Sequence, residues 1–279
     1  MVIRDKMSLL RTYNLMNANQ MQLTKSLTRI VTGMKINSAQ DNPSAYSISE
    51  SLRTRIRSLE QAELNTEHGF NMIKTAEDAA ANILDILKTL KTKALDAAND
   101  SNTDENRRVM QKEFKSLVEQ IDSGARTTFN GIALVDDSAT VLVLINSGDR
   151  NFSFQIGADA EDKIEITLGD VRAKALGLSD ELNISTKKDA DAAIKIIDDA
   201  INKVAERQTT IGAFLSSLGY ISDNLETQGE NLQLSDSAYR EADIASEIVD
   251  FVNLSLYIAA VTKKFTHINQ KFLFNDEKF

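Results

Sequence analysis

A seven-residue apolar repeat from Ile194 to Leu232 restricts the fold of this chain more than any other feature. Taken at alternating steps of three and four, it passes through Ile194, Ile197, Ile201, Val204, Gln208, Ile211, Leu215, Leu218, Ser222, Leu225, Gly229 and Leu232, and nine of these twelve are aliphatic. Such spacing puts a narrow stripe on one side of a helix, and a narrow stripe is covered by another helix. At about 1.5 Å of rise per residue the seam is roughly 55 Å long, beyond what a compact globule accommodates. The expected object is a rod, and it requires a mate.

The natural mate is a second long helix over residues 43–98, with Ile48, Leu52, Ile56, Leu59, Ala62, Phe70, Ile73, Ala76, Ala80, Leu84, Leu87, Leu90 and Ala94 on its stripe. Residues Thr66 to Gly69 look like a weak point in that pattern. Pro43 is the single proline of 279 residues, so long helices meet almost no obligatory break. It also suits the first turn of the helix it opens. The turn at Asn99–Thr103 offers Ser101 or Thr103 as cap for a third helix, whose first turn carries Asp104 and Glu105 as the helix dipole prefers. That helix shows Met110, Phe114, Leu117 and Ile121 and stops before Asn130-Gly131, a tight-turn pair.

Residues 132–186 change period. Val141, Val143 and Ile145, then Phe152, Phe154 and Ile156, then Ile164, Ile166 and Leu168 alternate with their neighbours, which predicts short strands in hairpins. Two thin amphipathic helices flank everything else. The first, over about residues 7–34, shows Leu23, Leu27, Ile30 and Met34 among Asn, Gln, Ser and Thr. The last follows a break or cap expected at Ser235-Asp236-Ser237 and shows Ile248, Phe251, Leu254, Ile258, Val261, Phe265, Ile268 and Phe272. Neither stripe suffices for an independent helix, so ordering is expected on contact with neighbours. Pairing of the two tails within one chain is the alternative. The fold class is thus mainly α: an elongated antiparallel helical bundle with a small β-hairpin region at its distal end.

Composition removes several function classes. The formal net charge is −9, which argues against a nucleic-acid partner. There is no Cys, hence no disulfide frame, thiolate metal site or Cys nucleophile. His68 and His267 lack a second ligand at metal-binding spacing. No metal or cofactor is expected, and a rod offers little concavity for catalysis. An enzyme is not expected. No apolar run approaches the roughly 18 residues of a membrane span, so no membrane partner is expected. The N-terminus lacks the pattern of a cleavable signal peptide.

Several motifs resemble those of bacterial flagellins. They are Gly33-Met-Lys-Ile-Asn37-Ser-Ala39-Gln-Asp41, Arg57-Ser-Leu59-Glu-Gln61-Ala62 with Asn65, Gly69 and Thr75-Ala76-Glu77, Thr128-Phe129-Asn130-Gly131, Ala173-Lys-Ala175-Leu-Gly177-Leu, and Arg240-Glu-Ala-Asp243-Ile-Ala245. The resemblance implies a homo-oligomeric filament subunit. Residues 1–42 and 236–279 would form the terminal helical assembly domain and residues 43–235 the rod domain, with the hairpin region at 132–186 and no large variable outer domain. It further implies unfolded export through the flagellum's own channel, a secretion chaperone on the C-terminal helix, and hook-associated and cap proteins as partners. Candidate self-assembly residues are Leu23, Leu27, Ile30, Asn37, Asp41, Arg57, Gln61, Ile258 and Phe265. The C-terminus departs from the family, with Phe265 and Phe272-Leu273-Phe274 where small residues are usual. It faintly resembles the hook–filament junction protein, which keeps a junction protein or minor flagellin as the second reading. By position, the family's innate-receptor-facing arginine, leucine and glutamate fall on Thr89, Lys93 and Glu113, so a host innate immune receptor is expected to respond weakly.

Overall fold

The computed structural model describes residues 2–135, 150–178 and 182–276. In chain order these form α1 (Val2–Thr32), α2 (Pro43–Ala98), α3 (Asp104–Ala125), β1 (Thr128–Phe129), β2 (Ile132–Ala133), β3 (Arg150–Gln155), β4 (Lys163–Leu168), α4 (Ala173–Leu176), α5 (Lys187–Arg240) and α6 (Ile244–Asp276). The chain is mainly α, with long helices and two small antiparallel strand pairs, as the periodicities predict. The strand expected at Val141–Ile145 lies outside the described residues. Two compact units are present, a central one of residues 57–229 and a terminal one of residues 1–56 with 230–279.

In the central unit the α2 seam runs without interruption through Leu59, Ala62, Thr66, Gly69, Ile73, Ala76, Ala80, Ile83, Leu87, Leu90, Ala94 and Ala97, all buried. The weak point expected at Thr66–Gly69 is therefore corrected, because both residues hold seam positions. Thr66 satisfies its hydroxyl by donating to the Ala62 carbonyl at 2.8 Å. Gly69 makes room for the Phe154 ring of β3, where an added Cβ would stand 3.1 Å from Cδ1. Phe70, assigned to the stripe by spacing alone, is 38% exposed.

The α5 seam buries Ala190, Ala193, Ile197, Ala200 and Val204, then every seventh residue at Ile211, Leu218 and Leu225. Small residues at Ala193 and Ala200 take the centre of the stripe, leaving Ile194 and Ile201 half-buried beside it. Ion pairs Lys187–Asp100 at 2.8 Å and Lys91–Asp198 at 2.7 Å show α2 and α5 running antiparallel. The β3–β4 hairpin buries Ile166 and Leu168 in the same core, which α3 completes with Phe114, Val118 and Ile121. Thr103 caps α3 by accepting from the Asn106 amide at 3.3 Å. Asn130 and Gly131 adopt φ of 50° and 78°, the left-handed pair that a tight turn between β1 and β2 needs. Arg107 is buried and donates to the Ala97 and Asn99 carbonyls at 2.7 and 3.0 Å, so a cation satisfies the free acceptors that end α2.

In the terminal unit α1 begins at Val2 rather than Met7 and lies antiparallel to α6. The break expected at Ser235-Asp236-Ser237 is also corrected, since α5 continues to Arg240. Asp236 is spent on a side-chain contact, and the residue that starts α6 is Asp243, whose Oδ1 accepts from the Ala245 and Ser246 amides at 3.0 and 3.3 Å. One further expectation fails. Within the 24 residues Ile244–His267, an 18-residue window reaches a mean hydropathy of 1.6, which by length and composition is enough to cross a membrane. Glu247, Asp250, Asn253 and two serines break the run that consecutive counting looks for, while the many aliphatic residues between them keep the window average high. One such helix is weak evidence for a span, and α1 lies along one face of it.

Candidate assembly interface

The linkers of the terminal unit are clasped together. Gly33, with φ 72°, ends α1 by a left-handed turn in which its amide donates to the Arg29 carbonyl at 2.8 Å. The chain then bridges Met34 to Glu241: the Lys35 amide donates to the Arg240 carbonyl at 2.7 Å, and the Ala242 amide to the Gly33 carbonyl at 2.9 Å. Ile36 is buried behind this clasp. Asp41 closes the following loop, its Oδ2 accepting from the Asn37 and Ser38 amides, each at 3.1 Å. Burial pushes its pKa up, but those two amides and the Ser38 hydroxyl outweigh burial and hold it below the ordinary carboxylate value.

Arg240 anchors the other side. Its Nη1 donates to Glu50 Oε1 at 3.0 Å, and the guanidinium lies 5.6 Å from the Tyr46 ring centroid. Ser49, fully buried, donates to Asp236 Oδ1 at 2.5 Å. The α2 seam position here belongs to Ser49, whereas the expected Ile48 is 41% exposed.

The α1–α6 pair has an unusual distribution of polarity. Along α1 the residues facing α6 fall at Thr12, Met16, Asn19, Leu23, Ser26 and Ile30, steps of four and three. Half of them are polar. Only Thr12 and Ser26 are buried, and Ser26 donates to Glu247 Oε2 at 2.9 Å while Arg29 pairs with Glu247 Oε1 at 3.0 Å. Along α6 the matching residues are Glu247, Phe251, Leu254, Ile258, Val261 and Phe265, all half-buried. Further large apolar side chains lie outside the seam. Leu10, Met21, Leu27 and Val31 on α1, and Val249, Val252 and Leu256 on α6, are 46–76% exposed. Buried hydrophobic residues of the terminal unit, among the described residues, are Ile36 and Ile56.

Of the candidate assembly residues, Leu23, Ile30, Ile258 and Phe265 therefore occupy the α1–α6 seam, whereas Leu27 points away from it. Asn37 and Asp41 belong to the loop after the clasp. Arg57 and Gln61 are exposed on α2 in the central unit, with Gln61 donating to Asn65 at 3.2 Å. Sequence spacing missed Ser26, Ser49, Asp236 and Glu247, because a search for apolar stripes skips polar side chains at seam positions. Extending the three/four step through Leu23 and Ile30 would have reached Ser26.

The bacterial flagellin N-terminal helical region matches residues 3–140, and the bacterial flagellin C-terminal helical region matches residues 194–272. Flagellin of Bacillus subtilis is 30% identical over 97% of both chains. The chain belongs to the bacterial flagellins. It is a structural subunit of the bacterial flagellar filament and works outside the cell, among copies of itself and other flagellar proteins. The crystal structure of Bacillus cereus flagellin covers 58% of this chain and 88% of its own, at 27% identity and TM-score 0.50. A protein described as flagellar hook-associated from Vibrio parahaemolyticus covers 72% of this chain and 100% of its own at TM-score 0.59; at 17% identity that likeness concerns the fold alone. The junction-protein reading is not better supported than the flagellin one.

Within this flagellin the three receptor-position residues share one region of the surface. Thr89 is exposed, with its hydroxyl turned back on the Asp85 carbonyl at 3.0 Å. Lys93, one turn further along α2, pairs with Glu113 of α3 at 2.6 Å. That hydrogen bond raises the Lys93 pKa, and the pair leaves Glu113 with its charge already matched.

Proposed function

We propose that the exposed apolar residues of α1 and α6 are the surface that sister subunits cover in the filament. The supporting observation is that large aliphatic side chains stand exposed outside a seam whose α1 side is half polar. A seam that is half polar on one side provides little driving force for two helices to pair in water, while large aliphatic side chains left outside favour burial by further copies. Leu27 is the member of the candidate set that reads most directly as intersubunit. Residues 1–42 with 236–279 then serve as the assembly domain and residues 43–235 as the rod.

Seeded polymerisation tests this. Full-length protein should extend seeds into long filaments seen by electron microscopy, and Leu27→Ser/Leu256→Ser should slow elongation while leaving circular dichroism of the monomer unchanged. Growth at the unsubstituted rate would exclude this surface. Addition of a few layers followed by arrest would favour a junction protein.

The resemblance supports the remaining assignments. The chain has no catalytic role, leaves the cell unfolded through the flagellar export channel without a cleaved signal peptide, and is held before export by a chaperone on α6. A host innate receptor reads the Thr89–Lys93–Glu113 face weakly. Purified monomer should give a reduced response in a cell reporter assay, and Thr89→Arg/Lys93→Leu should raise it; full potency of the unsubstituted chain would contradict this.

A further inference from the structure

The central unit carries a cleft of mixed polar and apolar lining at the edge of its core. It has a volume of about 430 Å³ and is lined by Thr167 of β4, Gly169 just after it, Ala175 of α4, and Lys203, Glu206, Arg207, Thr210 and Ile211 of α5. Arg207 is the unusual member. Its Nη1 is buried without a hydrogen-bond partner among the described residues. Its Nε lies so close to Gly169 that an added Cβ there would stand 2.7 Å away, so only a glycine lets the guanidinium rest against the backbone. Lys203 Nζ makes one long contact, 3.5 Å, to the Leu176 carbonyl. Two cations thus share one cleft, and a buried guanidinium nitrogen has lost its water without gaining an acceptor, an arrangement that costs free energy until an acceptor arrives.

We propose that this cleft receives the carboxylate of an aspartate or glutamate from a second copy of the chain in the filament. A guanidinium fork fits a planar carboxylate, and the Lys203 ammonium supplies further donors, whereas the Thr167 and Thr210 hydroxyls are already donated to Asn151 Oδ1 and the Glu206 carbonyl. Ala175 and Ile211 suit the methylene stem of such a side chain, while Glu206 at the same cleft repels any anion and penalises a doubly charged phosphate more than a singly charged carboxylate. Suitable occupants are abundant, since each copy carries 41 Asp and Glu against 32 Lys and Arg. The inference rests on the filament role, which brings other copies within reach.

The test uses full-length protein, half of it ¹⁵N-labelled, polymerised on seeds and treated with a water-soluble carbodiimide, which joins an amine to a carboxylate in contact with it. Mixed-isotope peptide pairs linking Lys203 to an Asp or Glu peptide are expected in filaments and not in dilute monomer. Arg207→Gln should keep monomer helicity and slow elongation about tenfold, as loss of a charge-assisted contact would. Filaments in which Lys203 stays unlinked, or is linked only within its own chain, would overturn the proposal while leaving the filament role intact. Saturation of the cleft by inorganic phosphate, followed in monomer by NMR, with no inter-chain link in filaments, would overturn it in favour of a free anion. Failure of the unsubstituted chain to polymerise would overturn both readings.

Discussion

At the scale of single residues, two glycines on long helices behave oppositely. Gly69 faces Phe154, and a Cβ there would meet three ring atoms within 3.3 Å. Gly212 on α5 has nothing within 4 Å of the same position. Mid-helix glycine costs roughly 0.5–1 kcal/mol relative to alanine where no neighbour requires it. Gly212→Ala should therefore stabilise the monomer by about that amount in chemical denaturation. Gly69→Val should destabilise it by about 1–3 kcal/mol, because the ring must leave its seat against α2. Equal effects at the two positions would show that the Phe154 contact contributes nothing.

At the scale of elements, the terminal unit is held by polar contacts, and those respond to pH and to substitution. Arg240 donates to Glu50 and holds its pKa below the ordinary 4.5. A carboxylate with a depressed folded-state pKa contributes its stabilisation above the unfolded value and loses it as pH falls through the folded value. Asp41, lowered from 3.8, acts in the same direction. The clasp should accordingly open as pH drops below about 4.5, seen as faster hydrogen exchange at the Lys35 and Ala242 amides after correction for the intrinsic rate. Glu50→Gln should remove the part of that response due to Glu50. In the α1–α6 seam, Glu247→Ala alone strands Ser26 and Arg29. Replacing the whole set (Ser26→Ala, Arg29→Leu, Glu247→Leu) exchanges a half-buried polar cluster for apolar packing, which is neutral or stabilising by roughly 1–4 kcal/mol in comparable cases. The triple variant should slow α6 hydrogen exchange, whereas the single one should accelerate it.

At the scale of the whole molecule, apolar burial is divided unequally. The central unit holds one continuous core of aliphatic residues from α2, α3, α5 and the hairpin. The terminal unit buries few apolar side chains. Local opening free energy follows such differences. Amides of α1 and α6 in the dilute monomer should exchange by low-energy local opening, while those near Ile83, Leu87 and Ile197 should exchange only on global unfolding. Polymerisation should then protect α1 and α6 selectively. Uniform protection in the monomer would remove the reason for assigning these helices to assembly.

Periodicity alone carried much of this. The seven-residue repeats of α2 and α5, the Thr103 cap, the Asn130-Gly131 turn and the alternation in β3 and β4 all express local rules, in which spacing or backbone preference decides conformation before any partner is known. The C-terminal limit of α5 was not legible, because Ser235-Asp236-Ser237 has the composition of a cap and becomes helix interior only where Ser49 engages Asp236. The polar seam of α1 and the orphaned guanidinium of Arg207 were hidden for the same reason. A sequence determines which faces a helix offers; which of its polar groups are desolvated, and by what, depends on atoms distant along the chain, and tertiary packing alone decides that.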